Sequence, residues 1–236
     1  MQVLVVILLG FTLSAASGRI LNTDHGNLFY GDRAAYLVFM AFHNNNQRCG
    51  GTIVEDNWIL TARSCLTYST GVTIYFGMGP GRYSIYVSSS QYVKDNEHLA
   101  LVRVPLIVSS KGTRKVALPE QRNQSNGYEN QWVSHCGWGS TEPTYGKQPN
   151  WLQCVNLKIM PNNECGLDTI NERILCTRPV SGMFNCFGDA GNPLVTGVYP
   201  ILVGLSLSGC NPGLGAKFAR IISHLNWIRQ HTGIYH

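Results

Sequence analysis

Gly188-Asp189-Ala190-Gly191-Asn192-Pro193-Leu194 is the stretch whose reading decides the fold of this chain. Glycine and asparagine are the residue types that best tolerate left-handed backbone, and here they surround a single carboxylate and a methyl group. The segment is a backbone turn. Ala190 at its centre has no group that can attack a carbonyl.

Around it lies a chain of 236 residues with an ordinary apolar content of 44% and only 13% charged residues, which fits one globular unit or two small lobes rather than disorder. Val3 to Phe11 form one apolar run followed by Ser14, Ala15, Ala16 and Ser17. The run is too short to cross a bilayer core of about 30 Å as a helix and has the form of a secretory signal peptide, although no basic side chain precedes it. Residues 1–17 are therefore expected to be the signal peptide, and the product to be secreted and extracellular. No later segment is apolar enough to span a membrane.

Eight cysteines, Cys49, Cys65, Cys136, Cys154, Cys165, Cys176, Cys186 and Cys210, are an even set behind a secretory leader and point to disulfides. None forms a C-x-x-C pair and no histidines fall at zinc-finger spacing, so neither a metal nor another cofactor is expected. Asn123-Gln124-Ser125 is a glycosylation sequon in a polar stretch. The formal charge of +5 comes without a run of lysines and arginines, which leaves nucleic acid binding without support.

Short β-type segments recur between turn residues: Leu37 to Phe42, Trp58 to Ala62, Val72 to Phe76, Tyr83 to Val87, Leu99 to Val104, Leu152 to Met160 and Ile201 to Leu205. This spacing predicts a barrel or sandwich. A polar connection from Gln121 to Asn130 divides two lobes, and Ile221, Leu225 and Ile228 set an amphipathic helix over Ile221 to His231.

Three motifs carry a resemblance. Cys49-Gly50-Gly51-Thr52-Ile53, followed by Trp58-Ile59-Leu60-Thr61-Ala62-Arg63-Ser64-Cys65, is similar to the trypsin and chymotrypsin family's Cys-Gly-Gly-Ser-Leu-Ile and Trp-Val-Leu-Thr-Ala-Ala-His-Cys, with the same spacing between cysteines. His98-Leu99-Ala100-Leu101-Val102-Arg103-Val104 resembles its Asp-Ile-Ala-Leu-Ile-Arg-Leu, and the opening turn resembles Gly-Asp-Ser-Gly-Gly-Pro. Gly137-Trp138-Gly139 and Pro149 to Gln153 extend the likeness, which covers Arg19 to His236 and is nearest to small secreted insect members that lack a clip domain. The resemblance implies an all-β fold of two six-stranded antiparallel barrels with a C-terminal helix. The domain would be 20–236 after a residual propeptide at 18–19, with one barrel at about 20–120, the other at about 131–220 and the helix at about 221–231.

It also implies that the catalytic triad has been replaced throughout. The general base position holds Ser64, the orienting aspartate position His98 and the nucleophile position Ala190. These groups act as a unit, and losing them costs roughly a million-fold in turnover. His98 reads either as a new acid-base group or metal ligand or, the favoured reading, as a residue filling a vacated site; Asp95 and Glu97 do not occupy the matching place. Gly188 and Asp189, with Ala190, retain the turn whose amides form the oxyanion hole. Arg19-Ile20 matches the zymogen cleavage site, although Leu21-Asn22-Thr23 departs from Val-Gly-Gly, and a freed Ile20 ammonium would pair with Asp189. Phe184 stands at the floor of the specificity pocket, whose wall falls within Ser206-Leu207-Ser208-Gly209, and Asn192 is expected to push a side chain toward ground the substrate normally uses.

The family framework pairs Cys49 with Cys65, Cys165 with Cys176 and Cys186 with Cys210. Cys136 and Cys154 are left either as a fourth, cross-strand bridge or as two free buried thiols. The functional expectation is a secreted, monomeric, non-catalytic homologue that binds a protein or peptide as regulator, decoy or cofactor of proteolysis. The alternatives are a serine endopeptidase by family transfer and an extracellular structural or carrier protein.

Overall fold

The computed structural model describes residues 34–44, 47–77, 82–107, 112–120, 127–138, 152–165, 172–178, 190–197, 199–207 and 216–234. In the first half, β1 (Leu37–Phe42), β4 (Gly71–Phe76) and β5 (Tyr83–Ser88) show the period-two alternation expected of strands. Val38, Met40, Val72, Ile74 and Phe76 are turned into the interior and fully buried. β3 (Trp58–Ala62) is buried at every residue and β7 (Leu99–Arg103) at all but its last, because both faces of these two neighbouring strands are covered.

β2 (Arg48–Glu55) and β6 (Tyr92–Lys94) were not evident from the sequence. In β2 two successive glycines interrupt the hydrophobic pattern for steric reasons. A Cβ on Gly51 would lie 2.7 Å from Ile59 Cγ2 and 2.7 Å from Met40 Sδ, inside the barrel, whereas one on Gly50 would run into Asn192 on the other face. The strand order is β5-β4-β1-β2-β3-β7-β6. Its two edges, β5 and β6, are consecutive in the chain and separated only by a 3-10 turn at Ser89–Gln91, so the sheet curls until its edges are one interrupted strand. That turn is why seven strands stand where six were expected.

The second half is a six-stranded antiparallel sheet: β8 (Trp132–Gly137), β9 (Gln153–Lys158), β10 (Ile174–Cys176), β11 (Pro193–Val195), β12 (Leu202–Ser206) and β13 (Lys217–Arg220), in the order β10-β13-β12-β11-β8-β9. Its edges meet at a bridge between Ile159 and Thr177, where Met160 N–H donates to the Cys176 carbonyl at 2.8 Å and Arg178 N–H to that of Lys158 at 2.8 Å. Val133, Leu157, Ile159, Leu175, Leu194, Val203 and Phe218 fill this interior.

The connection between halves is not a free linker at its ends. Ala117 already bridges to Ile201, and Arg220 donates to the carbonyl of Gly127 at 3.0 Å. The C-terminal segment begins as a 3-10 turn, Ile221–His224, before the helix α1 (Leu225–Thr232), which ends at Gly233 with φ 72°. Ile221, Leu225 and Ile228 are buried in the same cluster as the core of the first barrel, together with Val195, Leu202, Leu205 and Ala219 of the second half. Among the described residues no helix is long and apolar enough to cross a membrane.

Among the described residues three disulfides are present. Cys49–Cys65 closes the loop from β2 to the 3-10 turn after β3, Cys165–Cys176 ties β10 to the turn before it, and Cys136–Cys154 crosses β8 and β9 at directly paired positions. The Cys186–Cys210 pairing lies outside the described residues. Cys136–Cys154 spans a sequence separation of 18, for which loop closure predicts a stabilisation of about 3 kcal/mol. Replacing both cysteines by serine should lower the free energy of unfolding in urea by about that amount; an unchanged midpoint would show that the β8–β9 ladder alone holds the pair.

Candidate functional site

The site is built on the junction of the two barrels, and its approach is a matter of backbone. Gly191 adopts φ 85°, a left-handed conformation. A Cβ there would lie 2.3 Å from the Gly50 carbonyl oxygen and 2.4 Å from Thr61 Oγ1. With no side chain in the way, Gly50 N–H donates to the Ala190 carbonyl at 2.8 Å, and Gly191 N–H to that of Ser206 at 2.8 Å. Ser206 N–H returns a bond to the Asn192 carbonyl at 2.9 Å, and Thr61 Oγ1 donates to Gly50 at 2.8 Å. The turn is thus held between β2 and β12.

Asn192 does not face substrate ground. It is fully buried, with its side chain against Gly50 and its backbone outside the positive-φ region, because Gly191 takes the left-handed conformation. The glycine at position 50 exists to admit it.

The two chain neighbours of Ser64 contact His98 and Ala190. Arg63 N–H donates to the His98 carbonyl at 2.8 Å, and the Cys65 sulfur lies 3.7 Å from the Ala190 carbonyl oxygen. Ser64 stands between these two contacts on the 3-10 turn Arg63–Leu66 and is exposed, whereas Ala190 is buried. The other expected site residues, Arg19, Ile20, Asn123, Phe184, Cys186, Gly188, Asp189 and Cys210, lie outside the described residues. Of the pocket wall, Ser206 and Leu207 are described, and Ser206 is buried in the stitching just given.

At the orienter position the structure holds a feature that local sequence patterns do not reveal. The turn 95–98 joins β6 to β7, and Asp95 is buried within it. Its Oδ1 accepts the N–H groups of Glu97, His98 and Leu99 at 2.9, 2.8 and 2.9 Å, and its Oδ2 lies 3.1 Å from His224 Nδ1. Burial by itself would raise the Asp95 carboxyl; the His224 hydrogen bond and the backbone donors outweigh it and hold the group below its ordinary range. Asp95 is therefore the buried carboxylate of this region, but it meets His224 rather than Ser64.

His98 is partly exposed, with its ring centroid 6.2 Å from that of His224. Burial, then the proximity of His224, pushes its pKa down, against the opposing pull of Glu97 and Asp95. Glu97 binds Arg173 at 3.0 Å. A carboxylate and an imidazole in hydrogen-bond contact are the elements of a general base, yet both side chains of the Asp95–His224 pair are nearly inaccessible, at 7% and 3%. Among the described residues no group of three His, Cys, Asp or Glu could hold a metal ion.

Two curled antiparallel barrels, closed by a C-terminal helix and joined at a glycine turn, define a chymotrypsin-like fold. The sequence model of the Trypsin family matches residues 27–228. Serine protease 1 of Drosophila melanogaster is 32% identical over 234 residues, covering 92% of this chain and 87% of its own. Collagenase of Hypoderma lineatum is 28% identical over 92% of this chain and 88% of its own. Among solved structures, HL collagenase superposes with a TM-score of 0.73 at 26% identity, covering 87% of this chain and 96% of its own. A scabies mite inactivated protease paralogue shares the fold with a TM-score of 0.74 at 18% identity, covering 86% of this chain and 94% of its own. The chain belongs to the trypsin family of serine proteases.

Gly191→Ala tests the junction. Left-handed strain of about 1–3 kcal/mol adds to the collision with Gly50, so the variant should lose at least that much stability by urea unfolding and show altered near-ultraviolet circular dichroism. A variant as stable as the wild type would mean that the turn does not approach β2 as described.

Proposed function

We propose that this chain is a secreted, non-catalytic member of its family that binds a protein or peptide segment and so regulates, decoys or assists proteolysis. The observation that carries the reading is the identity of the residues at the three positions that the family resemblance assigns to catalysis: an exposed serine hydroxyl at Ser64, a partly buried imidazole at His98 and a methyl at Ala190. A serine hydroxyl is too weakly basic near neutral pH to serve as general base, and Ala190 offers no nucleophile. The framework that would present a bound segment, from Gly50 through the Ala190 turn to β12, keeps its hydrogen bonds. Secretion is supported by the apolar N-terminal run and by the three disulfides, which belong to an oxidising compartment.

The relatives favour a second reading, because Serine protease 1 and Collagenase are named as proteases. Serine endopeptidase activity would then be this chain's by descent, and it would need a nucleophile other than residue 190.

One experiment separates the two. Purified protein treated with an active-site fluorophosphonate and with peptide libraries should show no covalent labelling and no cleavage, while the immobilised protein retains a subset of the library peptides. Labelling of Ser64 or of any other serine, or accumulation of cleaved peptide, would overturn the non-catalytic reading. Loss of all peptide retention would overturn the binding role.

A further inference from the structure

We propose that the turn at residues 95–98 and His224 form an acid-released clamp between the first barrel and the C-terminal segment, with His98 as the group whose protonation opens it. The clamp has two teeth. Asp95 reaches His224, at the end of the 3-10 turn that leads into α1, and Glu97 reaches Arg173, just before β10. Both teeth leave one short turn of the first barrel and end on the second half of the chain. They therefore control how firmly β7 and the adjoining position of His98 are held.

The charges around His98 decide what its protonation does. On its own turn stand Asp95 and Glu97; from the C-terminal segment His224 faces it; from the segment before β10 comes Arg173; and from the turn after β3 the Arg63 guanidinium donates to the Asp95 carbonyl at 2.6 Å. Both carboxylates are committed. Asp95 spends one oxygen on three backbone N–H groups and the other on His224, and Glu97 holds Arg173 through Oε1. Glu97 Oε2, at 4.0 Å from His98 Nε2, is the nearest acceptor for a second positive charge. A protonated His98 thus draws Glu97 away from Arg173, or else stands unshielded beside His224 and Arg173. Either outcome loosens a tooth.

The sign of the effect follows from linkage. His98 is held neutral more firmly in the folded chain than in the unfolded one, where its pKa is about 6.5, so unfolding takes up a proton as the pH falls. Stability is complete above about pH 6.5 and declines as the pH drops from there to the folded-state pKa of His98, levelling off below it. The Asp95 carboxylate has its folded pKa depressed, so its contribution is present above about pH 3.9 and lost at still lower pH.

Only the consequence for a bound segment rests on the binding function proposed above: a ligand seated at the junction would be released in acid. The clamp itself needs no ligand, so its test leaves that reading untouched if it fails. Urea unfolding of the full chain between pH 7.5 and pH 4.5 should show the folding equilibrium constant falling by up to about tenfold per pH unit within the His98 window, and His98→Gln should abolish that fall while leaving stability at pH 7.5 close to wild type. In the wild type, the imidazole signals of His98 in NMR should titrate with a midpoint below the ordinary histidine value and move upward in His224→Gln. An unchanged decline in His98→Gln, or an ordinary or raised His98 midpoint in the wild type, would overturn the proposal, and the wild-type measurement stands even if His224→Gln does not fold.

Discussion

Two peptide planes approach each other at Gly50 and Ala190–Gly191, and the rest of the molecule depends on that approach. The first sheet curls until its edges run into one another through a turn and the second closes at the Ile159–Thr177 bridge, but the joint between them is made by main-chain donors and acceptors that no Cβ could survive between. Because β2 carries Gly50 on one face and Gly51 on the other, the same two residues admit the partner turn outside and let Ile59, Met40 and Val38 pack inside. The relative placement of residues 64, 98 and 190 follows from this joint, with the Cys49–Cys65 disulfide pinning the loop that carries Ser64.

The region around His98 shows how a buried carboxylate can be kept when its expected imidazole partner is absent. Burying an ion is costly unless donors replace its water. Asp95 finds three backbone donors in Glu97, His98 and Leu99 and a fourth in His224, so the charge is satisfied entirely by architecture. A carboxylate–imidazole contact therefore persists near the centre of the molecule, turned away from the cleft and toward the C-terminal segment.

Much of the fold was legible because alternation is a local property. Leu37–Phe42, Gly71–Phe76 and Tyr83–Ser88 announce themselves in this way within six residues, and Trp58–Ala62 does so as a short run covered on both faces. Arg48–Glu55 does not, because its two glycines are there to be approached and leave gaps in the pattern. Tyr92–Lys94, Ile174–Cys176 and Pro193–Val195 are three residues each, too short for a period to show. At the site, the positions of Ser64, His98 and Ala190 could be read from motif spacing, whereas the contact of Asp95 with His224 joins residues separated by the whole second barrel. Asn192 was misread for a local reason: its neighbour Gly191 absorbs the left-handed conformation, which frees the asparagine to be an ordinary buried strand-entry residue.

The glycines at 50, 51 and 191 have one more consequence, for what specifies the joint. Each stands in a motif that resembles the family's, and each is required by steric fit rather than by chemistry. The joint is therefore specified by residues that carry no reactive group, and its steric demands are separate from those of any reaction.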